Sequence, residues 1–177
     1  MERFTLFWTG PFSQWEPAWF TLDGVEYSCA EQYMMAEKAR LFADLDTLEL
    51  IMQSESPATH KALGRVVDGF EVHVWQEEED NGMPRCWNIV WRGNMAKFSQ
   101  NPHLLEALLA TRGTSMVEAS PVDRIWGIGL DAKDPAARDR ASWRGRNWLG
   151  EVLDDVRDRL AAGERLGEAR EDAGDRA

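Results

Sequence analysis

Apolar and polar positions alternate along the chain with two periods. Phe20-Thr21-Leu22 and Val25-Glu26-Tyr27 alternate at period two around Asp23-Gly24, a turn signal that predicts a β-hairpin over 19–27. From Ser28 the period lengthens. Ala30, Met34, Met35, Ala39 and Phe42 recur at helical spacing and predict a helix over 28–42, with Ser28 as N-cap and Glu31 three residues on in the capping-box pattern. Residues 44–54 and 57–66 read as two short helices broken at Ser56-Pro57. Trp87, Val90, Trp91, Met95 and Phe98 form the apolar face of a helix over 84–99. Pro102 starts another, carrying Leu104, Leu105, Leu108 and Leu109. Residues 116–118 and 125–130 read as short strands or extended segments, and a last helix is expected over 147–160. The acidic run Glu77 to Gly82 reads as a solvated helix end or loop. Beyond Gly163 little is left to bury, so 161–177 is expected to be a disordered acidic tail behind a single domain over 1–160.

The length of 177 residues suits one domain with a sizeable core. No stretch approaches the roughly 20 apolar residues of a membrane-spanning helix. Met1-Glu2-Arg3-Phe4 opens no basic-then-apolar segment, so no signal peptide is expected. A net charge of −11 weighs against non-specific binding to DNA, RNA or anionic lipid, while leaving room for a local basic pocket. Cys29 and Cys86 are the two cysteines and lack metal-ligand spacing. A reduced, cytoplasmic setting is expected, with no metal and no cofactor. Most of the nine tryptophans are expected in the core, and two or three are expected to face a ligand.

The common motifs for phosphate loops, dinucleotide folds, zinc hydrolases and serine hydrolases are absent. His60, His73 and His103 are scattered, so a Ser-His-Asp or Cys-His hydrolase has little support. Three segments could carry chemistry. On the 28–42 helix, Glu31 and Lys38 are seven residues apart and project from one face about 10.5 Å apart along the axis. Met34 and Met35 lie between them, and charges on an apolar face must be paired or serve a pocket. Asn94 and Lys97 are neighbours on the 84–99 helix. Glu118, Asp123, Arg124 and Trp126 sit in apolar, turn-rich sequence whose glycines permit close approach to a ligand. Trp143-Arg144-Gly145-Arg146-Asn147-Trp148 then precedes a helix N-terminus, a ready anion site.

Phe12-Ser13-Gln14-Trp15, Phe20-Thr21-Leu22-Asp23-Gly24, the Glu31-to-Phe42 helix, Ala96-Lys97-Phe98-Ser99-Gln100-Asn101, Val117-Glu118-Ala119-Ser120-Pro121, Asp123-Arg124-Ile125-Trp126-Gly127-Ile128-Gly129 and Trp143 to Gly150 together resemble the NADAR family, in order and spacing, over residues 4 to 160. Gln14 departs from the Asn common there. The resemblance implies an α+β, mainly α-helical single domain with a small N-terminal β-hairpin or sheet. It also implies metal-free hydrolysis of N-glycosidic bonds. Similar bacterial members act on ribosylaminopyrimidine phosphates of early riboflavin synthesis, others on ADP-ribosylated guanine. The family's site maps onto Glu31, Lys38, Asp123 and Trp126, with Trp91 and Asn147 as weaker matches.

Breaking a ribosyl C–N bond needs a carboxylate beside the developing oxocarbenium ion and an acid at the leaving nitrogen. Glu31 or Asp123 is expected to supply these. Lys38 either binds phosphate or attacks the anomeric carbon. Trp126 and Trp91 stack on the base, and Arg40, Arg124 and Lys97 are candidates for the phosphate. The partner expected is a small phosphorylated ribosylated molecule, with ADP-ribosylated nucleic acid as the alternative. A nucleotide-binding sensor without catalysis is the rival of another class.

Overall fold

The computed structural model describes residues 2–166. The hairpin forms as β2 (Phe20–Leu22) and β3 (Val25–Tyr27), paired antiparallel. Asp23 (φ 52°) and Gly24 (φ 78°) both take positive φ, as a type I′ turn requires. A second two-stranded sheet joins β1 (Phe4–Phe7) to β4 (Ser115–Glu118) in parallel, Phe4 opposite Ser115 and Phe7 opposite Glu118. β1 is absent from the sequence-based expectations.

Helix α1 (Ala30–Leu41) lies at the centre, packed on α2 (Leu45–Gln53), α3 (Pro57–Gly64) and α5 (Arg85–Gln100). α5 in turn packs on α6 (Pro102–Leu109) and α7 (Trp148–Ala161), and α7 backs β4. Tyr27, Tyr33, Met95, Phe98, Leu108, Met116, Leu149 and Leu153 are buried in the core between these elements. α4 (Val72–Trp75) is one further turn, which the sequence pattern does not predict. Among the described residues no helix is long and apolar enough to cross a membrane.

Two local expectations are corrected. The N-cap of α1 is Cys29, with no side-chain bond. Ser28 instead gives its N–H (2.7 Å) and hydroxyl (3.0 Å) to Gln32 Oε1, so Glu31 is not spent on a capping box and its carboxyl is left to turn elsewhere. Residues 125–130 are a series of bends, not a strand. A methyl group at Gly127 would stand 2.9 Å from the Glu118 carbonyl oxygen, and Gly129 has φ 69°, so a regular strand cannot run through both. The acidic run is the exposed loop expected, closed by Glu79 N–H to Met83 O and Arg85 N–H to Glu77 O. Of the expected tail, Glu164 still bonds back to Arg159 O and Leu166 packs on the core; 167–177 lie outside the described residues.

Candidate active site

Glu31 sits in the first turn of α1 and is buried. Its backbone N–H donates to Gln14 O (3.0 Å). The long 8–19 segment is thereby stitched across the helix start, which carries Trp15 to the side of Glu31, where the indole favours the charged form of the carboxyl. Burial raises the Glu31 pKa to about 7; the Lys61 ammonium pulls it down, and the Asp123 carboxylate pushes it up.

The second acid, Glu118, ends β4. Its Oε2 is withdrawn from water and, among the described residues, has no hydrogen-bond partner. Burial drives its pKa to about 8, with Asp123 and Glu31 raising it and Lys61 lowering it. The backbone beneath it is fixed by Asn147, whose Oδ1 accepts the Glu118 N–H (2.9 Å) while Nδ2 donates to Met116 O (2.9 Å). Asn147 takes φ 59° to do this, a conformation Asn tolerates better than most residues. Asp123 heads the following turn. Its N–H donates to Ser120 Oγ, and its Oδ1 accepts the N–H groups of both Ile125 and Trp126 at 2.8 Å. One carboxylate oxygen is therefore occupied in building the turn.

The third wall is α3. Lys61 and Arg65 are one helical turn apart and share a face. Lys61 Nζ lies 5.9 Å from the Trp15 ring centroid, and both cations act on Glu31. Neither is in an ion pair among the described residues. Three carboxyl groups and one ammonium, from α1, β4, the 119–126 turn and α3, thus lie within electrostatic reach of one another, and burial raises two of the acids toward neutral pH. Among the described residues no three His, Cys, Asp or Glu side chains are grouped as a metal site.

Of the residues singled out from sequence, Glu31 and Asp123 meet here. Trp126 is half-buried beside Asp123, its ring 5.9 Å from Trp148. Asn147 is present as the pin under Glu118 and has no free side-chain atom for a ligand. Lys38 points elsewhere: Nζ donates to Gly64 O (2.6 Å) and sits 3.7 Å over the Phe70 ring. Arg40 is held by Tyr27 and Glu37. Lys97 is fully buried and bonded to backbone carbonyls. Trp91 gives its indole N–H to Asp155 (2.6 Å) and lines a separate cleft of about 960 Å³ beside the acidic turn, which none of the three carboxylates lines. Arg124 is exposed next to Asp123. Glu118, Lys61, Arg65 and Trp15 are the site groups that sequence reasoning did not select.

Acids held near one another by a helix start, a strand end and a tight turn, with Trp15 and Trp126 beside them, mark a candidate acid–base site in an α+β protein. The NADAR domain model matches residues 6–161, and the chain belongs to the NADAR family. It is 43% identical over 152 residues to N-glycosidase R617 of Acanthamoeba polyphaga mimivirus, covering 83% of this chain and 85% of that protein. It is 41% identical over 138 residues to Protein irg-1 of Caenorhabditis elegans, covering 77% of this chain but 62% of that protein. It is 30% identical to Riboflavin biosynthesis protein VVA0006 of Vibrio vulnificus (strain YJ016), covering 85% of this chain and 35% of that one. The NMR structure of the E. coli protein YbiA superposes with a TM-score of 0.70 at 25% identity, covering 92% of this chain and 88% of that one.

Proposed function

We propose that this protein is an N-glycosidase that hydrolyses the ribose–nitrogen bond of a phosphorylated ribosylaminopyrimidine, an intermediate of the riboflavin route. The observation that carries the reading is a buried pair of carboxyls, Glu31 and the unpartnered Glu118 Oε2, coupled to each other and to Asp123. Glu118 and Glu31 titrate at about 8 and about 7 beside Asp123. At neutral pH the set, which titrates jointly, holds an acid next to a carboxylate. Protonated Glu118 gives its proton to the leaving nitrogen as the C1′–N bond breaks and its electron pair passes to the base. Asp123 faces the positive sugar. Water adds to C1′ and loses a proton to the cluster, so the base leaves with one hydrogen and the ribose gains a hydroxyl. Trp15 and Trp126 flank the base, and Lys61 with Arg65 faces the phosphate. The relatives' names, N-glycosidase and riboflavin biosynthesis protein, support this choice of bond and substrate.

A second reading, removal of ADP-ribose from guanine, is favoured by one observation. Arg124, Arg144 and Arg146 are exposed on adjoining turns beside Asp123, joined by the Arg146 N–H to Arg124 O bond. They are in no ion pair among the described residues, an arrangement suited to a pyrophosphate. The test is incubation of the purified protein with ribosylaminopyrimidine phosphate, ADP-ribose, NAD and ADP-ribosyl-guanine, with base and sugar read by chromatography. Base released fastest from the first supports the main reading, and base released only from the last supports the second. No base from any substrate overturns both and leaves a nucleotide-binding sensor.

A further inference from the structure

We propose that Lys97 is a positioning residue for the Glu31 site: its buried ammonium anchors the 10–14 turn and through that turn seats Trp15 against the Glu31 carboxyl. The inference rests on the hydrolytic reading above. It starts from a lysine with no visible reason to be charged. Lys97 has no exposed surface, and among the described residues no carboxylate lies within ion-pair distance of it. Burying an amine this way is costly, and a leucine would fill the space without that cost. What it does touch is all on one feature. Nζ donates to Pro11 O (2.9 Å) and Ser13 O (2.8 Å), the carbonyls either side of a turn closed by Ser13 N–H to Gly10 O (2.9 Å). The Phe98 ring lies 4.9 Å away.

The turn leads directly to the site. Gln14 is the next residue: its carbonyl accepts the Glu31 N–H, and its Oε1 accepts Asn94 Nδ2 (2.8 Å). Asn94 lies one turn before Lys97 on α5, so one helix holds the turn at two points. Trp15 follows, its backbone N–H on Ser13 Oγ (3.1 Å) and its indole beside Glu31, whose pKa it lowers. Trp15 itself is partly exposed and has little packing of its own; its place is set by the backbone before it. Burial lowers the Lys97 pKa to about 7, and Glu16 and Cys29 are the titratable groups that face it and raise it. The anchor is therefore strongest in acid and weakens as the amine loses its proton.

The experiment is a double-mutant cycle with a structural readout. Lys97→Met and Trp15→Phe are made singly and together, folding is checked by circular dichroism, and kcat and KM are measured on the ribosylaminopyrimidine phosphate. Amide exchange is followed at the Glu31 N–H. Lys97→Met should lower kcat by about 10- to 100-fold, the scale of a small misplacement. It should cost no more than a few-fold in the Trp15→Phe background, and Glu31 exchange should accelerate. Normal kcat in folded Lys97→Met, or an equal loss in both backgrounds, overturns the proposal. If that variant does not fold, wild-type exchange decides: protection of the Glu31 N–H, corrected for intrinsic base catalysis, should fall above pH 7, and a flat profile overturns the proposal. A wild type inert on every substrate defeats the hydrolase reading alone, and the exchange arm still tests the anchor.

Discussion

Asn147 Oδ1 accepts the backbone N–H of Glu118 at 2.9 Å while the same side chain donates to Met116 O. Two buried backbone groups of β4 thus depend on one amide, and the acid at the end of β4 depends on them for its place. Asn147→Ala should destabilise the fold by about 2–3 kcal/mol, the cost of leaving such groups unpaired, and should lower turnover as well. Urea unfolding and kcat measured together check this. A loss of stability with unchanged kcat would mean that Glu118 needs no such support.

The two raised carboxyls fix the sign of a pH effect on stability. A folded pKa above the ordinary 4.5 means that the native state holds the proton more tightly. The contribution is complete below pH 4.5 and is lost as pH rises through about 7 for Glu31 and about 8 for Glu118. Glutamine mimics the protonated form. Glu31→Gln and Glu118→Gln should therefore each stabilise the protein by about 1–3 kcal/mol at pH 8.5 and by nothing at pH 4. Both should lose on the order of a hundredfold in turnover. Thermal unfolding at the two pH values checks the first statement, and steady-state rates check the second.

Lys61 offers a test of the same electrostatics from the opposite side. Its ammonium lowers the pKa of Glu31 and of Glu118. In Lys61→Met both acids should keep their protons to higher pH. The alkaline limb of kcat/KM, where the last shared proton is lost, should then move up. KM for a phosphorylated substrate should rise at the same time. A limb that stays in place or moves down would remove Lys61 from the cluster.

Much of the fold was readable because it is locally encoded. Asp23-Gly24 demands the hairpin turn, Ser56-Pro57 and Asn101-Pro102 mark helix starts, and the apolar stripe of α5 repeats at helical spacing. β1 was not, since four residues gain a strand only by pairing with 115–118, more than a hundred positions away. The same holds for the site. Glu31 stood out by its helical spacing and Asp123 by its turn-rich segment, and the family resemblance pointed to both. Glu118 lay in a noticed segment, yet nothing in Val117-Glu118-Ala119 shows that its carboxyl is buried against a helix start 87 positions earlier. Nothing local to the short helix over 57–66 marks Lys61 or Arg65 as a site group. Lys97 was read as a phosphate ligand because sequence gives charge but not burial.

Lys38 gives the sharpest contrast between spacing and placement. Its seven-residue separation from Glu31 does put both on one side of α1, but that side meets two different neighbours. Around Glu31 the neighbours are Trp15, Lys61 and Asp123. Around Lys38 they are the end of α3, where Gly64 O accepts its amine at 2.6 Å, and the Phe70 ring at 3.7 Å. A cation at a helix C-terminus is favourable, and one over an aromatic face is too, so the structure accounts for Lys38 without chemistry. Burial lowers its pKa, with no carboxylate contributing. Arginine keeps the charge and can reach the same carbonyl, but it cannot become a neutral nucleophile near pH 7. Lys38→Arg should therefore retain turnover within a few-fold, and borohydride added during turnover should trap no sugar on the wild type. Abolished turnover in a folded Lys38→Arg variant, together with a trapped adduct, would return Lys38 to the reaction and require the amine to leave Gly64 when substrate binds.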